Sequence, residues 1–395
     1  MSQLLNERWS ETKDALLEGL QGTRRASMNV CLENTRKYLA ESATAGATSA
    51  GNIATLNRVI LPVIRRVMPT VIANEIIGVQ PMTGPVGQIH TLRVRYADSS
   101  NEVVAGEEAL SPFKIAQAYS GNNDATTPRA SATATLEGQP GRRMSIQILK
   151  APVEAKSRKL SARWTFEAAQ DAQAQQGIDI EAEIMAALAQ EITAEIDQEI
   201  LSSLRSLATV EETYDQALVS GTATFVGDEH AALAIQVNRV ANLIAQRTRR
   251  GAANWAVVSN QALTILQSAT TSAFARTTEG TFEAPTNTKF VGTLNGSLRV
   301  YVDAYLPDSG TQTIQDNQVL IGYKGSSEAD AAAFYCPYIP LMSSGVVLDP
   351  ATFEPVVGFL TRYGYVELTN TASSLGNAAD YLGKVSINST TVSFK

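Results

Sequence analysis

The sequence is poor in the residues that usually carry chemistry. Its 395 residues include two cysteines, Cys31 and Cys336, and two histidines, His90 and His230. Two cysteines so far apart make neither a disulfide framework nor a zinc knuckle, and they suit a chain made in a reducing cytoplasm. Neither histidine has a Cys, His or carboxylate partner at ligand spacing, so both read as structural or surface residues. No Gly-x-Gly-x-x-Gly follows a strand, and no phosphate loop ends in Gly-Lys-Ser/Thr: Gly383-Lys384 is followed by Val385. No Gly-x-Ser-x-Gly elbow occurs. Adjacent carboxylates such as Glu107-Glu108 are expected by chance among 39 acidic residues. No cofactor is implied. Apolar runs of about 18 residues are also missing, which excludes a membrane-spanning helix. The first twenty residues carry Glu7, Glu11 and Asp14 where a secretory signal would be basic and then apolar.

Proline and glycine are unevenly placed. Eight of the 14 prolines fall between Pro62 and Pro152, and none between 153 and 284. No glycine or proline interrupts Ile178 to Ser220. The expectation is a loop-rich stretch over 56–152 followed by regular structure. Ile180, Ile184, Leu188, Ile192, Ile196, Ile200 and Leu204 recur every four residues, which predicts a long helix over 179–207, about 43 Å from end to end. Because four residues overshoot one turn, the stripe should wind slowly around the axis.

Upstream, residues 1–41 read as two amphipathic helices, one with Leu5, Trp9, Leu16 and Leu20, the other with Met28, Cys31, Leu32, Thr35 and Leu39. The run SATAGATSAGNIAT over 42–55 has little to bury, so 1–41 reads as a detachable piece on a flexible linker. Leu92–Tyr96 and Met144–Ile148 alternate as half-buried strands do. The polar stretch 97–143 between them reads as a long, mostly uncored hairpin loop with a mobile tip. A loop of that length needs a purpose, and packing on another subunit would supply one. After residue 230 the pattern alternates helix and strand: Ala231–Arg247 and Ala262–Gln267 as helices; Trp255–Val258, Leu298–Val302, Val319–Tyr323 and Ala333–Tyr335 as strands; Phe353–Leu368 as a strand with a break. The fold class expected is α+β.

The net charge of −7 is divided as zero over 1–41, +5 over 42–160 and −12 over 161–395. An acidic whole argues against general nucleic-acid binding. A basic segment beside an acidic body can pair with an acidic surface on its own chain or on another copy. Two basic clusters, Lys156/Arg158/Lys159 and Arg247/Arg249/Arg250, could grip a phosphate or could simply serve the fold.

Several long blocks point to a family. LPVIRRVMPTVIANEIIGVQPMTGPVGQIHTLRVRY (61–96) and VEAKSRKLSARWTFEAAQDAQAQQGIDIEAEI (153–184) closely resemble segments of T-even-type major capsid proteins of tailed bacteriophages. So do QRTRRGAANWAVVSN (246–260), GTLNGSLRVYVDAYLP (292–307), IGYKGSSEADAAAFYCPYIPL (321–341) and FEPVVGFLTRYG (353–364). They occur in family order. The resemblance implies an HK97-like tailed-phage capsid fold. Its parts would be an N-terminal helical segment (1–41), linker and arm (42–90), extended loop (91–150), peripheral domain with spine helix (151–229), axial domain (230–330) and return strands of the peripheral domain (331–395). T-even relatives carry a larger insertion in the loop; with 56 residues between Tyr96 and Val153, that extra domain is not expected.

The function implied is structural. The chain would self-assemble into hexamers and pentamers of an icosahedral head that encloses DNA without reading its sequence. Scaffold and portal, with vertex or decoration proteins, would be its partners, no membrane would be involved, and heads would be built in the host cytoplasm. A pentamer-only vertex protein or an encapsulin-type nanocompartment shell shares the fold, and a soluble enzyme is the rival from another class. Candidate inter-subunit contacts are Arg93, Arg95, Arg142 and Arg143, resting on a neighbour's acidic body, with Glu107 and Glu108. The resemblance also implies maturation by a phage protease that cuts after Leu/Ile-x-Glu. Leu39-Ala40-Glu41 fits that rule at a composition boundary, making Glu41–Ser42 the candidate bond; Leu16-Leu17-Glu18 fits it too. Mass spectrometry of mature heads should then find Ser42 as the N-terminus, and an intact Met1 terminus would end that expectation.

Overall fold

A computed structural model describes residues 9, 13–14, 16–17, 20, 22–44, 71–100, 103–106, 109, 119–121, 130–138, 140–176, 179–219, 226–248, 250–269, 274–276, 289–303, 305, 317–328, 330–352, 354–368, 378–388 and 392. Helix α1 (Gly22–Thr44) comes first, followed by strands β1 (Gly78–Val79), β2 (Val86–Tyr96), β3 (Met144–Glu154) and β4 (Lys156–Arg163). Helices α2 (Phe166–Gln176) and α3 (Ile180–Leu207) lead to β5 (Val210–Tyr214) and α4 (Val226–Thr248). Then come β6 (Trp255–Val258), α5 (Asn260–Ser268), β7 (Phe274–Arg276), β8 (Lys289–Leu294) and β9 (Leu298–Val302). The remaining strands are β10 (Gln318–Gly322), β11 (Ala333–Leu348), β12 (Pro355–Glu367) and β13 (Leu382–Ile387). The chain forms two compact units, each assembled from three separated stretches. The first holds Met1–Gly87, Val153–Ser203 and Phe334–Val366; the second holds Gln88–Pro152, Leu204–Ala333 and Glu367–Lys395.

The first unit is built on a four-stranded sheet in the order β1-β11-β12-β4. The long helix α3 starts where Asp179 accepts the backbone N–H of Glu181 (3.1 Å), and Glu181 and Glu183 complement the positive end of its dipole. Its stripe is buried only in part. Ile192, Ile196 and Ile200 are buried, whereas Ile180, Ile184 and Leu188 are half-exposed and Met185 and Ala189 are buried beside them. Each four-residue step gains about 40° over a full turn, so the stripe leaves the packed side within a few turns. Ile192 and Ile196 meet Val71, Tyr335, Ile339 and Thr361 around a slot of about 10 Å³.

Polar contacts fix the same sheet to the helix. Arg158 of β4 donates to Glu195 (2.6 Å) and Glu199 (2.5 Å) of α3 and to the Tyr363 hydroxyl of β12 (2.6 Å), while Tyr363 donates to Glu199. Burial alone would raise the Glu199 carboxyl, but its bonds from Arg158 and Tyr363 outweigh that and hold it below its ordinary value of 4.5. Lys159 and Arg163 are exposed on β4, the outermost strand. Charges there discourage another strand from pairing with the open edge.

β11 corrects the expectation of a short strand over 333–335. It runs on through Pro337 and Pro340. Pro337 faces the residues just past the end of β1, where its carbonyl accepts from Met82 N (3.0 Å). A residue's N and O point to the same side of a strand, so the missing proline N–H faces the short β1 side and leaves the β12 side of the ladder untouched. β12 is likewise continuous across Gly358 and Gly364.

The second unit carries a seven-stranded mixed sheet, β5-β13-β10-β6-β9-β8-β7. β6 and β10 are buried throughout, which is why their apolar runs read so clearly as strands. Leu233, Val237, Val240 and Ile244 of α4 and Ile265 and Leu266 of α5 pack on Val258, Val319, Ile321 and Val385 of the sheet. Ser259 caps α5 by accepting Ala262 N (3.2 Å). The Trp255 ring passes close to β10, and a Cβ at Gly322 would stand 2.1 Å from it, so only glycine fits there. The expected grouping of 331–395 in one domain is corrected here. The chain crosses over at 366/367, and β13 hydrogen-bonds between β5 and β10 in this sheet. Its short sequence, LGKVSI, carries too little apolar patterning to announce a central strand.

One ion pair is buried in this unit. Arg205 donates to Asp303 (2.5 Å), with side chains 12% and 0% exposed, and Asp303 also accepts Tyr305 N (3.0 Å). Asp303→Ala should cost about 3–5 kcal/mol because Arg205 would stay buried without its counter-charge. Urea unfolding measures this, and a loss under 1 kcal/mol would contradict it. In the first unit, Glu199→Gln should lower stability at pH 7. A carboxyl held below 4.5 contributes stability that is complete above that pH and is lost as pH falls through its folded value. The gap between wild type and Glu199→Gln should therefore narrow below about pH 4.5 in thermal melts across pH; a gap independent of pH would show that the ion pair contributes nothing.

Candidate functional site

The described residues show no convergent catalytic cluster. Among them, no group of three or more His, Cys, Asp or Glu could hold a metal ion, and no helix is long and apolar enough to cross a membrane. His90 lies exposed on β2, and His230 is buried with Nδ1 2.5 Å from the Ser268 hydroxyl. Each basic cluster is engaged within the chain through its described arginines, while Lys156 and Lys159 are exposed. Arg158 is held as described, Arg247 pairs with Glu211 (2.5 Å), and Arg250 pairs with Asp330. Arg249 lies outside the described residues. Tyr381 donates to the same Asp330 (3.3 Å) and stacks against Tyr323; burial pushes the Tyr381 hydroxyl up to about 12. These groups fasten the fold.

The hairpin β2–β3 differs from everything else. Ala97 N donates to Arg143 O (2.9 Å), which sets Tyr96 opposite Met144 and Val94 opposite Ile146. Opposed residues share a face, so Val94, Tyr96, Met144, Ile146 and Ile148 form one apolar surface. Sequence alternation predicted half-buried strands. Instead Met144, Ile146 and Ile148 are 54%, 68% and 60% exposed. Among the described residues nothing covers this row, and the sequence could not reveal that, because alternation shows which side chains share a face but not whether anything lies over it.

The loop above the hairpin has a small core, contrary to the uncored reading. Tyr96, Val103, Ala109 and Tyr119 are buried together, with the two tyrosine rings 4.5 Å apart. Gly106 N and Ala109 N donate to Tyr96 O and Val94 O (both 2.8 Å), extending the ladder beyond β2. The Tyr119 hydroxyl donates to Arg143 O (2.6 Å) and accepts Asp98 N (3.3 Å). Arg142 donates to Tyr119 O (2.8 Å) and its guanidinium lies 5.7 Å from the Tyr119 ring centre. Arg143 donates to Asp98 through its backbone N (2.8 Å) and its guanidinium (3.2 Å). The Arg143 side chain and backbone bonds hold the Asp98 carboxyl below its ordinary value.

The sequence-predicted contact residues are therefore scattered. Arg142 and Arg143 close the base of the loop, with 78% of the Arg143 side chain still exposed. Arg95 is half-buried in β2 and Arg93 lies in the same strand. Glu107 and Glu108 fall outside the described residues. Glu41 and Ser42 stand in the last turn of α1, inside a helix rather than at its boundary with a linker.

A family model described as "Major capsid protein Gp23" matches residues 53–135 and 116–387, well over half of the chain. The major capsid protein of Vibrio phage KVP40 is 28% identical, across 85% of this chain and 81% of its own length. That of Enterobacteria phage T4 is 29% identical, across 83% and 78%, and that of Serratia phage KSP90 is 30% identical, across 83% and 80%. Among solved structures, a chain of the bacteriophage PhiM1 mature capsid is similar over 78% of this chain and 83% of its own, at 13% identity and a TM-score of 0.45. The long sequence blocks, the mixed α+β units and the family match agree: this chain belongs to the Gp23 family of major capsid proteins, the subunits of tailed-phage head shells.

Proposed function

We propose that this subunit works without catalysis, assembling into hexamers and pentamers that close an icosahedral head around DNA, and that β2–β3 makes a principal contact by laying its apolar face on a second copy. The exposed row Met144, Ile146 and Ile148 carries the reading. Covering a side chain of this size gains about 1.5–3 kcal/mol, and a shell repeats that gain at every copy. Arg95 lies on the opposite face of the hairpin, and Arg93, Arg95, Glu107, Glu108 and the exposed flank of Arg143 are the polar candidates for that contact. In this reading the first unit is the peripheral domain and the second, without its hairpin, the axial domain of an HK97-like fold. The family supports the same scheme, with scaffold and portal as partners and assembly in the host cytoplasm.

Ile146→Asp tests the contact. The residue is already solvated in the lone subunit, so the variant should fold with an unchanged melting temperature yet fail to build shells, seen by electron microscopy and sedimentation. Normal yields of normal heads from Ile146→Asp would overturn the role of this row.

A further inference from the structure

The N-terminal segment was expected to be detachable, yet the structure seats it firmly. Helix α1 has two working faces. Met28 and Leu32 pack with Leu16 and Leu17, and Lys13 pairs with Glu33 (2.7 Å), so the segment has a small core of its own. The other face, Arg24, Cys31 and Asn34, meets the rest of the first unit. Arg24 pairs with Glu75, and the Cys31 thiol points at Pro337 O (3.9 Å). Asn34 is buried, and its amide donates to Met82 O (2.7 Å) and Tyr338 O (2.8 Å). One side chain thus satisfies carbonyls from two stretches of backbone that lie far apart in sequence. If the helix left, both carbonyls would need new partners.

All of these anchors lie within residues 24–34. The candidate Glu41–Ser42 bond lies about two turns further on, in the final turn of α1. Terminal turns fray at little cost, whereas packed turns do not. A protease could therefore reach the bond by unwinding the end of the helix and leave the anchored turns in place.

We propose that residues 22–34 form a clasp on the first unit that opens as a separate unit from the body, that Asn34 sets its hold, and that a cut at Glu41 leaves fragment 1–41 bound until the clasp opens. The second half rests on the cleavage reading above; the first does not. Cutting and release are then two events. The covalent step makes departure possible, and the hydrogen bonds of Asn34 decide when it happens.

The only two thiols report on this. Burial pushes both Cys31 and Cys336 up to about 12, so neither should react at neutral pH without an opening. In the full uncut chain, thiol labelling mapped by mass spectrometry should show Cys31 reacting with weak urea dependence and Cys336 with the steep dependence of global unfolding. Asn34→Ala should speed Cys31 labelling roughly 5- to 100-fold and leave its weak urea dependence in place. Equal rates and equal urea dependence for the two thiols would overturn the separate unit. So would labelling of Cys31 at the rate of an unprotected thiol. In freshly cut native particles, fragment 1–41 should co-purify from wild type and be lost from Asn34→Ala; its absence from wild type would overturn retention. Heads that keep Met1 would remove the cleavage reading and leave the labelling result standing.

Discussion

Apolar surface left in water costs about 25 cal/mol per Å², and that cost decides where this subunit is finished and where it is not. Both sheets bury their central strands, α3 packs Ile192 and Ile196 on the first sheet, and even the loop above β2–β3 closes around two tyrosines. Against that background the bare row on β3 is an unmet demand. Three large side chains left exposed on one strand face, among the described residues, fit the proposed contact with a second copy. Membership of a shell-forming family gives that demand a natural answer.

Electrostatics are spent differently. The basic surplus of the N-terminal half suggests a charged face, yet three of the arginines it counts, and several beyond it, are busy at home: Arg142 and Arg143 at the loop base, Arg158 on α3, Arg205 with Asp303, Arg247 and Arg250 at the end of α4. Guanidinium suits this work because its planar fork can satisfy two or three acceptors at once, as Arg158 does with two carboxylates and a hydroxyl. Charge in this chain mostly specifies its own geometry, and apolar surface is what it offers outward.

How legible all this was depends on the range of the interaction. Trp255–Val258 and Leu298–Val302 read correctly to the residue, because an apolar run closed by turn residues is a local signal. The helix over 180–207 was equally plain, but its buried side was not, since a four-residue repeat drifts and only the packed partner shows where it stops mattering. β11 was read too short because prolines normally end strands; here one of them faces the short β1 side of the sheet. β13 and the grip of Asn34 were invisible for a common reason. Each depends on partners far away in the chain, and neither leaves a periodic trace. The exposed row on β3 was half legible: its alternation was evident, its lack of cover was not.

The interleaving of the two units has a consequence in time. The first sheet needs β1, β4 and the β11–β12 pair, and the second cannot join β5 to its neighbours until β13 is in place. At translation rates of about 5–20 residues per second, roughly ten to thirty-five seconds separate the emergence of β5 from that of β13. Throughout that interval the nascent chain already displays β2–β3 but has no finished body to present alongside it. The second sheet is thus complete only once the last strand, β13, has been made.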